Sequence, residues 1–323
     1  MIVSASYRTD IPAFYGRWFA RRLEAGFCRV ANPYGGPPSM VRLDRDSVDG
    51  FVFWTRNLGP FRPVLERIAE RGAPFVVQYT ITGYPRALEA AVTAPETAIG
   101  HIHYLAREFG PRRAVWRYDP VIDTDRTPLV WHEKNFARLA AMLEGAVDEA
   151  VASFAHIYKK TKANTDAAAH RHGFAWRDPP VDEKRATVAA LAEIAARHGM
   201  VLSVCAQPHL LGHPPAHLPA HPPVGGAGAA RCVDAARLAA IAGRPLAARE
   251  KGNRDGCACH ESRDIGAYDT CPHGCVYCYA VRNRDLARRR HKMHDPESEF
   301  LSPVDRTRRP EPAPRAKPPG PPG

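Results

Sequence analysis

Six short β-rich runs, each followed by a helical pattern, recur along the first two thirds of the chain. Each run consists mostly of Val, Ile, Phe, Tyr or Thr, which is typical of strands. The runs cover residues 2–6, 51–55, 75–82, 114–118, 149–154 and 201–206. Several helical stretches end at a glycine, the residue that most readily adopts the left-handed stop. Because neighbouring parallel strands need a crossover, the alternation predicts a parallel sheet in an α/β fold.

Polar residues stand at the carboxyl ends of most of these runs. They are Arg8, Asp10, Thr55, Arg56, Asn57, Thr82, Arg117, Asp119, Cys205 and Gln207. A barrel collects residues from many strand ends at its carboxyl rim, whereas an open doubly wound sheet binds its ligand at one switch point. We therefore expect a partial (β/α)6 TIM-like barrel over residues 1–207. Gln78, inside an apolar run, is expected to point into this barrel.

Three further segments follow the predicted barrel. Residues 208–230 are rich in Pro, Gly and His, and a surface loop is expected because the prolines prevent a helix that would stack the histidines. Residues 231–301 are expected to pack on the barrel as a cysteine-rich, cluster-binding segment. Residues 302–323 hold eight prolines and no aromatic residue, so a disordered tail is expected. The histidines of the loop are His209, His213, His217 and His221.

Charge and hydropathy indicate whether the chain is a membrane, secreted or nucleic-acid-binding protein. No apolar stretch approaches the roughly 20 residues of a membrane-spanning helix, so no membrane partner is expected. Residues 1–6 lack the pattern of a signal peptide, which predicts a cytoplasmic protein. The formal charge is +11 at pH 7. This excess suits a nucleic-acid partner, and it equally suits a surface charge that keeps the protein in solution.

The cysteines give the sharpest indication of chemistry. Seven of the eight lie at or after residue 205, and clustered thiols in a reducing compartment usually bind metal. The segment Cys271-Pro-His-Gly-Cys275-Val-Tyr-Cys278 places three thiolates on one loop. Three thiolates hold a [4Fe–4S] cluster and leave one iron open to a small molecule. Zinc normally needs four protein ligands, and the candidates for a fourth are Cys259, His273 and His291.

The motif CPHGCVYCYA resembles that of the radical S-adenosylmethionine superfamily, especially its spore photoproduct lyase branch. The resemblance implies that the open iron binds S-adenosylmethionine, which one electron cleaves to methionine and a 5′-deoxyadenosyl radical. That radical abstracts hydrogen from a substrate. The resemblance also implies a partial (β/α)6 barrel and an electron donor such as ferredoxin or flavodoxin. The spore photoproduct lyase branch points to nucleic acid as one candidate substrate.

The chain up to about residue 300 also resembles an uncharacterised bacterial family, domain of unknown function 1848. The resemblance rests on the cysteine block near the C-terminus and on four short sequence motifs. These stretches are SASYRTDIP at 4–12, FWTRN at 53–57, YTITGY at 79–84 and WRYDP at 116–120. The family brings no established reaction, so the expected chemistry depends on the cysteine motif.

Two features differ from the radical superfamily's usual order. The superfamily carries its three cysteines after the first strand, whereas here they follow the sixth strand–helix unit. A circular permutation reconciles the two orders and places residues 271–278 beside the mouth formed by residues 6–12. The usual Gly-Gly-Glu contact to the S-adenosylmethionine amine is also missing, and the run after the second strand is expected to replace it. The predicted cofactor-binding residues are Thr55, Arg56, Asn57, Gln78 and Tyr277.

Four cysteines remain outside the motif: Cys205, Cys232, Cys257 and Cys259. Four thiolates complement either a second, fully ligated cluster or one zinc ion. The alternative is that Cys205 and Cys232 are small buried hydrophobic residues.

Charged residues at the strand ends are the catalytic candidates. Arg8 with Asp10, and Arg117 with Asp119, are suited to hold a carboxylate or phosphate and to orient a reacting group. Alternatively, each pair is a local ion pair that closes a strand end. Two functions from different classes are therefore expected. The first is a radical S-adenosylmethionine-like iron–sulfur enzyme, and the alternative is a non-catalytic iron–sulfur or zinc protein with a structural or redox-sensing role.

Overall fold

The computed structural model describes residues 1–33, 35–211 and 227–302 as an α/β fold built on one large parallel sheet. The histidines at 213, 217 and 221 and the tail from 303 onward lie outside the described residues. The first six strands in the chain are β1 (Ile2–Ala5), β2 (Phe27–Val30), β3 (Ser39–Arg42), β4 (Gly50–Thr55), β5 (Phe75–Thr80) and β6 (Ala114–Val121). The next six are β7 (Asp123–Thr124), β8 (Glu149–Phe154), β9 (Trp176–Arg177), β10 (Val201–Val204), β11 (Gly228–Ala229) and β12 (Ser262–Asp264).

All six predicted strands are confirmed, and they lie side by side in the order of the chain. The large sheet has the order β11-β10-β8-β6-β5-β4-β1-β12, and every neighbouring pair is parallel. The remaining strands form two small antiparallel pairs, β2 with β3 and β7 with β9. Because the strands of the large sheet run in one direction, their carboxyl ends meet at one edge.

Helices connect the strands, as a parallel sheet requires. In chain order they are α1 (Ile11–Phe14), α2 (Gly16–Ala25), α3 (Arg62–Glu70), α4 (Pro95–Phe109), α5 (Leu129–Leu143), α6 (Lys159–His172), α7 (Val181–Arg197), α8 (Ala235–Ala242) and α9 (Arg284–Lys292). Short 3-10 turns occupy Gly59–Phe61, Pro111–Arg113 and Pro208–Leu210. No helix in the described parts of the chain is both long and apolar enough to span a membrane.

The main core lies on the face of the sheet that the crossover helices cover. Phe51 and Phe53 of β4 pack edge-to-face against Phe19 of α2, and Phe61 contacts both Phe19 and Phe53. Alternate residues of a strand point to opposite faces, so the valine between the two phenylalanines faces the other way. Parallel strands are buried on both faces, which explains their nearly continuous apolar sequence.

The opposite face of the sheet is covered by the cysteine-rich part of the chain. Valines of four strands form a second core with Leu238 of α8 and with Cys232 and Cys259. These valines are Val52, Val76, Val115 and Val151. Segment 231–301 also adds β12 to the sheet beside β1, with Ser4 opposite Asp264. β12 was not predicted because its three residues are polar and give no β-rich pattern.

Candidate cofactor site at the carboxyl ends of the strands

A cavity of about 390 Å³ opens at the carboxyl edge of the large sheet. Its wall combines residues that follow the strands with residues from the cysteine-rich segment. All seven cysteines predicted as metal ligands line it: Cys205, Cys232, Cys257, Cys259, Cys271, Cys275 and Cys278. The predicted polar residues in the wall are Arg8, Asp10, Thr55, Arg56, Arg117, Asp119 and Tyr277. Residues far apart in sequence therefore share one pocket.

The loop that carries Cys271, Cys275 and Cys278, here called the triad loop, is fixed against the segment after β5. Two backbone hydrogen bonds make this contact. Ala91 N donates to His273 O of the loop at 2.9 Å, and Val276 N of the loop donates to Leu88 O at 3.0 Å. The loop turns at Gly274, whose φ is +76°. This positive φ favours glycine, and a Cβ there would also approach Arg284 Nε to 2.4 Å.

The three thiols of the triad loop are open to the cavity but enclosed by protein on their other sides. Burial raises the pKa of Cys275 to about 12, although the Arg56 guanidinium opposes this shift. Burial likewise raises the pKa of Cys271 and Cys278. Backbone amides oppose this rise without reversing it. His273 N acts on the Cys271 thiol, and the amides of residues 280 and 281 act on the Cys278 thiol. Backbone amides are therefore in place to stabilise thiolates, the form in which cysteine binds metal.

Asp10 joins the triad loop to the strand ends. Its Oδ2 is 2.8 Å from His273 Nε2, and its carboxylate also accepts from Thr55 Oγ1 and Arg56 N, both at 2.8 Å. The expected neighbourhood of residues 6–12 and 271–278 is thereby confirmed. The alternative of a local ion pair between Arg8 and Asp10 is wrong, because Arg8 instead forms a salt bridge with Asp264 of β12, Nε to Oδ1 3.1 Å.

Arg56 belongs to a buried network beside Cys275. Its Nη1 is 2.7 Å from Glu89 Oε1, and its Nη2 donates to Tyr277 Oη at 2.8 Å. Tyr277 Oη and Thr82 Oγ1 both donate to the same Glu89 oxygen. Glu89 was not predicted as a site residue. It reaches the site from the loop after β5, and no local pattern in the sequence marks it.

The Arg117–Asp119 pair is confirmed as a contact at the end of β6. Arg117 Nη2 donates to Asp119 Oδ2, and Ser153 Oγ donates to the other carboxylate oxygen. Burial by itself would raise the pKa of Asp119, but the Arg117 guanidinium, the Ser153 hydroxyl and the Arg254 guanidinium together outweigh it, and the pKa is lowered. Arg117 also lies over the ring of Trp54, 5.0 Å from its centroid. The carboxylate of Asp119 is thus held ionised in the cavity wall.

Two predicted cofactor-binding residues lie outside the cavity wall. Gln78 does not face open space, because Cys232 covers it: its Nε2 donates to Cys232 O at 2.9 Å, and its Oε1 accepts from Arg117 Nη1 at 3.3 Å. The Asn57 side chain turns toward its own loop and accepts from Gly59 N at 3.0 Å. Both side chains support their neighbours and neither reaches the pocket.

The other four cysteines form a second group in the same cavity wall. The Sγ atoms of Cys205 and Cys232 are 3.7 Å apart. The Cys259 thiol lies close enough to those of Cys232 and Cys257 to shift the pKa of both. The Cys259 thiol is the main reason that the pKa of Cys257 is lowered to about 6. Cysteines from three separate segments therefore meet at one place.

Neither cysteine group already encloses a single ion. Among the described residues, no three His, Cys, Asp or Glu side chains surround one point closely enough to hold one metal ion. The thiolates of a [4Fe–4S] cluster bind different iron atoms, so they stand further apart than the ligands of one ion. Three cysteines on one turning loop, with backbone amides directed at two of the sulfurs, fit such a cluster as a donor set.

Two of the three candidates for a fourth zinc ligand, His273 and Cys259, are otherwise engaged, and the third, His291, has a buried Nδ1 without a hydrogen-bond partner among the described residues. Both ring nitrogens of His273 face acceptors, Asp10 Oδ2 at 2.8 Å and Ala91 O at 3.2 Å. Cys259 belongs to the second cysteine group, and the ring of His291 packs edge-on against Phe14 and Tyr15.

Comparisons with known proteins identify a family but no activity. No curated protein matches the chain. One solved structure, an amidohydrolase from an environmental sample of the Sargasso Sea, is 14% identical, with a TM-score of 0.31. The match covers 64% of this chain and 49% of that one, so the chain spans about half the length of that structure. The family model "Domain of unknown function (DUF1848)" matches residues 2–280. The chain therefore belongs to the DUF1848 family.

Proposed function

We propose that the protein is an iron–sulfur enzyme of the radical S-adenosylmethionine kind, with Cys271, Cys275 and Cys278 as the ligands of a [4Fe–4S] cluster. One observation carries this proposal. The three thiols line the same cavity as the polar residues at the strand ends, and His273 of the triad loop hydrogen-bonds Asp10, 263 residues earlier. When bound, such a cluster supplies the electron that cleaves S-adenosylmethionine to methionine and a 5′-deoxyadenosyl radical. Proximity within one pocket then permits hydrogen abstraction from a substrate.

The order of the strands supports the finer expectation of a partial (β/α)6 barrel. Six parallel strands follow the order of the chain, as they do in a barrel, and a doubly wound sheet would reverse its order at a switch point. In this proposal β11 and β12 are the open edges of the barrel. The cavity then occupies the carboxyl rim, where barrel enzymes bind their substrates.

The residues of this chain have distinct parts in the proposed reaction. Asp10 positions the triad loop through His273, and the Arg56 guanidinium offsets negative charge beside Cys275. Glu89 and Tyr277 hold that guanidinium in place. Thr55 and the backbone of Arg56 lie next to the loop, where they are suited to orient S-adenosylmethionine.

The substrate side of the proposal rests on charge. The wall of the cavity contains Arg8, Arg56, Arg117 and Arg254 against the carboxylates of Asp10 and Asp119. This balance, with the overall charge of +11, favours an anionic substrate, and nucleic acid is one candidate. The reductive step requires a one-electron donor such as ferredoxin or flavodoxin. Free thiols persist in a reducing compartment, so we place the protein in the cytoplasm.

A second candidate function is a non-catalytic iron–sulfur or zinc protein. It is favoured by the contacts that attach the cysteine-rich segment to the sheet, namely the β1–β12 pairing and the Arg8–Asp264 salt bridge. In such a protein the metal would fasten this segment or sense redox state, and no substrate would react.

Anaerobic purification followed by iron and sulfide analysis tests the proposal. We expect a [4Fe–4S] signal in the wild type, and we expect the variant Cys271→Ala/Cys275→Ala/Cys278→Ala to lose about four irons and four sulfides per chain relative to the wild type. The matched control is Cys28→Ala, a buried cysteine of the main core that lies outside the cavity wall. With dithionite and S-adenosylmethionine, the wild type should release 5′-deoxyadenosine. An intact cluster without 5′-deoxyadenosine, or stoichiometric zinc without iron, would select the non-catalytic function.

A further inference from the structure

We propose that Cys205, Cys232, Cys257 and Cys259 form a second metal centre with four thiolate ligands, in the wall of the same cavity. This four-thiolate centre is independent of the triad loop, and the proposal does not rest on the radical reaction. Its metal is either one zinc ion or a fully ligated [4Fe–4S] cluster, because both take four thiolates.

The convergence of the four cysteines is the first argument. Cys205 follows β10, Cys232 precedes α8, and Cys257 and Cys259 lie in the loop before β12. Three separate segments thus deliver thiols to one place. The Sγ atoms of Cys205 and Cys232 stand 3.7 Å apart, which matches an edge of about 3.8 Å in the tetrahedron of a single zinc ion with metal–sulfur bonds of about 2.3 Å. The ligands of a cluster would have to move further apart.

The donors around these sulfur atoms are the second argument. Arg117 Nη1 donates to Cys232 Sγ at 2.9 Å, and Arg254 Nη2 donates to Cys205 Sγ at 3.6 Å. Val233 N donates to Cys259 Sγ at 3.4 Å. Amide and guanidinium donors directed at sulfur stabilise thiolates, whereas a small hydrophobic cysteine has no need of them.

Charge balance is the third argument. Within the described residues, Arg254 forms no salt bridge with a carboxylate, and Arg117 forms one, with Asp119. A buried guanidinium needs negative charge nearby. A divalent ion or an oxidised [4Fe–4S] cluster bound to four thiolates carries a net double negative charge. Arg117 and Arg254 carry two positive charges and Asp119 one negative charge, so together they would offset half of it.

The thiols must move locally to bind metal. Their present contacts run in the order Cys205, Cys232, Cys259, Cys257, and they do not yet surround one point. Cysteine has a single side-chain torsion that moves its sulfur, and the proposal assigns the convergence of the four atoms to changes of this torsion. Each thiol that binds releases its proton to solvent as a metal–sulfur bond forms.

The experiment begins from the variant Cys271→Ala/Cys275→Ala/Cys278→Ala, which removes the proposed first cluster. This protein is purified anaerobically from cells supplied with iron and zinc, and its iron, zinc and sulfide are measured. We expect about one zinc, or about four irons with about four sulfides, per chain. X-ray absorption at the metal edge should show sulfur as the only element bonded directly to the metal. Sulfide distinguishes the cluster from zinc, and both results support the four-thiolate centre.

Two further substitutions in that background complete the test. Adding Cys232→Ala should lower the bound metal at least tenfold, whereas adding Cys28→Ala should leave it unchanged. If the Cys232 variant does not fold, as judged by circular dichroism, Cys257→Ser at a partly exposed position replaces it. Two results would overturn the proposal. One is the absence of metal in the variant Cys271→Ala/Cys275→Ala/Cys278→Ala, and the other is bound metal that does not decrease when Cys232→Ala or Cys257→Ser is added and the protein still folds. Failure of the radical reaction in wild type would leave this result untouched.

Discussion

At the residue scale, Asp10 shows how one carboxylate joins distant parts of a chain. It caps α1 by accepting from Ala13 N at 2.9 Å, and it also accepts from Thr55 and Arg56 and hydrogen-bonds His273. Each hydrogen bond to a buried ionised group contributes about 1.5–3 kcal/mol, and the partners left behind lose solvation as well. The side chain therefore matters for stability as well as for the position of the triad loop.

We expect Asp10→Ala to lower the free energy of unfolding by about 3 kcal/mol and to reduce the iron bound after anaerobic purification. Urea denaturation and iron analysis of the same samples measure both effects. Asp46→Ala is the matched control, because Asp46 is exposed and its replacement should change stability by less than about 0.5 kcal/mol. Equal stability of the two variants would show that Asp10 does not hold the loop.

His132 provides a pH-dependent contribution at the same scale. It is fully buried on α5, where Nδ1 contacts Tyr118 Oη at 2.9 Å and Nε2 contacts Ile122 O at 3.0 Å. Burial lowers its pKa from 6.5 to about 4. Between these values the unfolded chain takes up a proton that the folded chain excludes. Stability from this group is therefore complete above about pH 6.5 and is lost as the pH falls toward 4.

We expect the free energy of unfolding of wild type to fall between pH 7 and pH 4.5. The variant His132→Gln should fall less steeply, by up to about 1.4 kcal/mol per pH unit near pH 5. Denaturation at a series of pH values measures the slopes. His170→Gln, at an exposed position on α6, should keep the wild-type slope. Parallel curves for wild type and His132→Gln would refute this assignment.

At the element scale, β12 depends on a close approach between its following turn and the end of β1. Gly266 N donates to Asp264 Oδ1 at 2.9 Å, and the same carboxylate accepts from Ser6 Oγ at 2.8 Å. A Cβ on residue 266 would lie 1.9 Å from Ser6 Oγ and 2.6 Å from Ser6 Cβ. No side chain larger than hydrogen fits there.

Gly266→Ala should therefore destabilise the protein by about 1–3 kcal/mol, because the contact forces β12 away from β1. Gly100→Ala is the control of opposite sign. Gly100 lies inside α4 with nothing within 4 Å of its added Cβ, so alanine should stabilise the helix by about 0.5–1 kcal/mol. Chemical denaturation of both variants decides the point, and similar effects of the two substitutions would contradict it.

The elements that the sequence predicted are those with strong local patterns. The six apolar runs became neighbouring strands, and the helical stretches that end at glycine became α2, α3, α4, α5 and α7. α6 was not predicted, because its alanines, threonines and charged residues form no apolar stripe. β11 and β12 were not predicted, because each has only two or three residues. They are strands only because they pair with β10 and β1 at the two edges of the sheet.

At the scale of the whole molecule, the cysteine-rich segment and the sheet share one structure. The main core includes residues from Val3 to Leu301, and the second core joins strand valines to α8. A metal bound to the triad loop would therefore stabilise the whole protein, because a ligand that binds only the folded state shifts the unfolding equilibrium.

Removing metal with a chelator should lower the Tm of the wild type by about 5 °C or more. Anaerobic calorimetry of loaded and chelated protein measures the difference. The triad variant Cys271→Ala/Cys275→Ala/Cys278→Ala should show a smaller shift, from the four-thiolate centre alone. An unchanged Tm in wild type would mean that no metal is bound to the folded state.

The sequence predicted most residues of the candidate site correctly, but it did not predict which of them contact each other. The sequence indicated the cysteines and most polar residues of the cavity wall, because motifs and strand ends are local features. It paired Arg8 with Asp10, whereas long-range partners supply the actual contacts: Asp264 for Arg8 and His273 for Asp10. Glu89 was missed for the same reason, since folding alone brings its loop to Arg56 and Tyr277.

The pairing of β1 with β12 has a consequence for biosynthesis. The ribosome makes residues 2–5 before the other strands of the large sheet, but their neighbour at 262–264 emerges only after those strands have been translated. Until then one side of β1 offers unpaired amides and carbonyls, a surface that invites pairing with other chains. Asp10 likewise lacks its hydrogen bond to His273 until residue 273 has been translated. The triad loop therefore reaches its final position late in folding, and a nascent chain must be kept from aggregating until then.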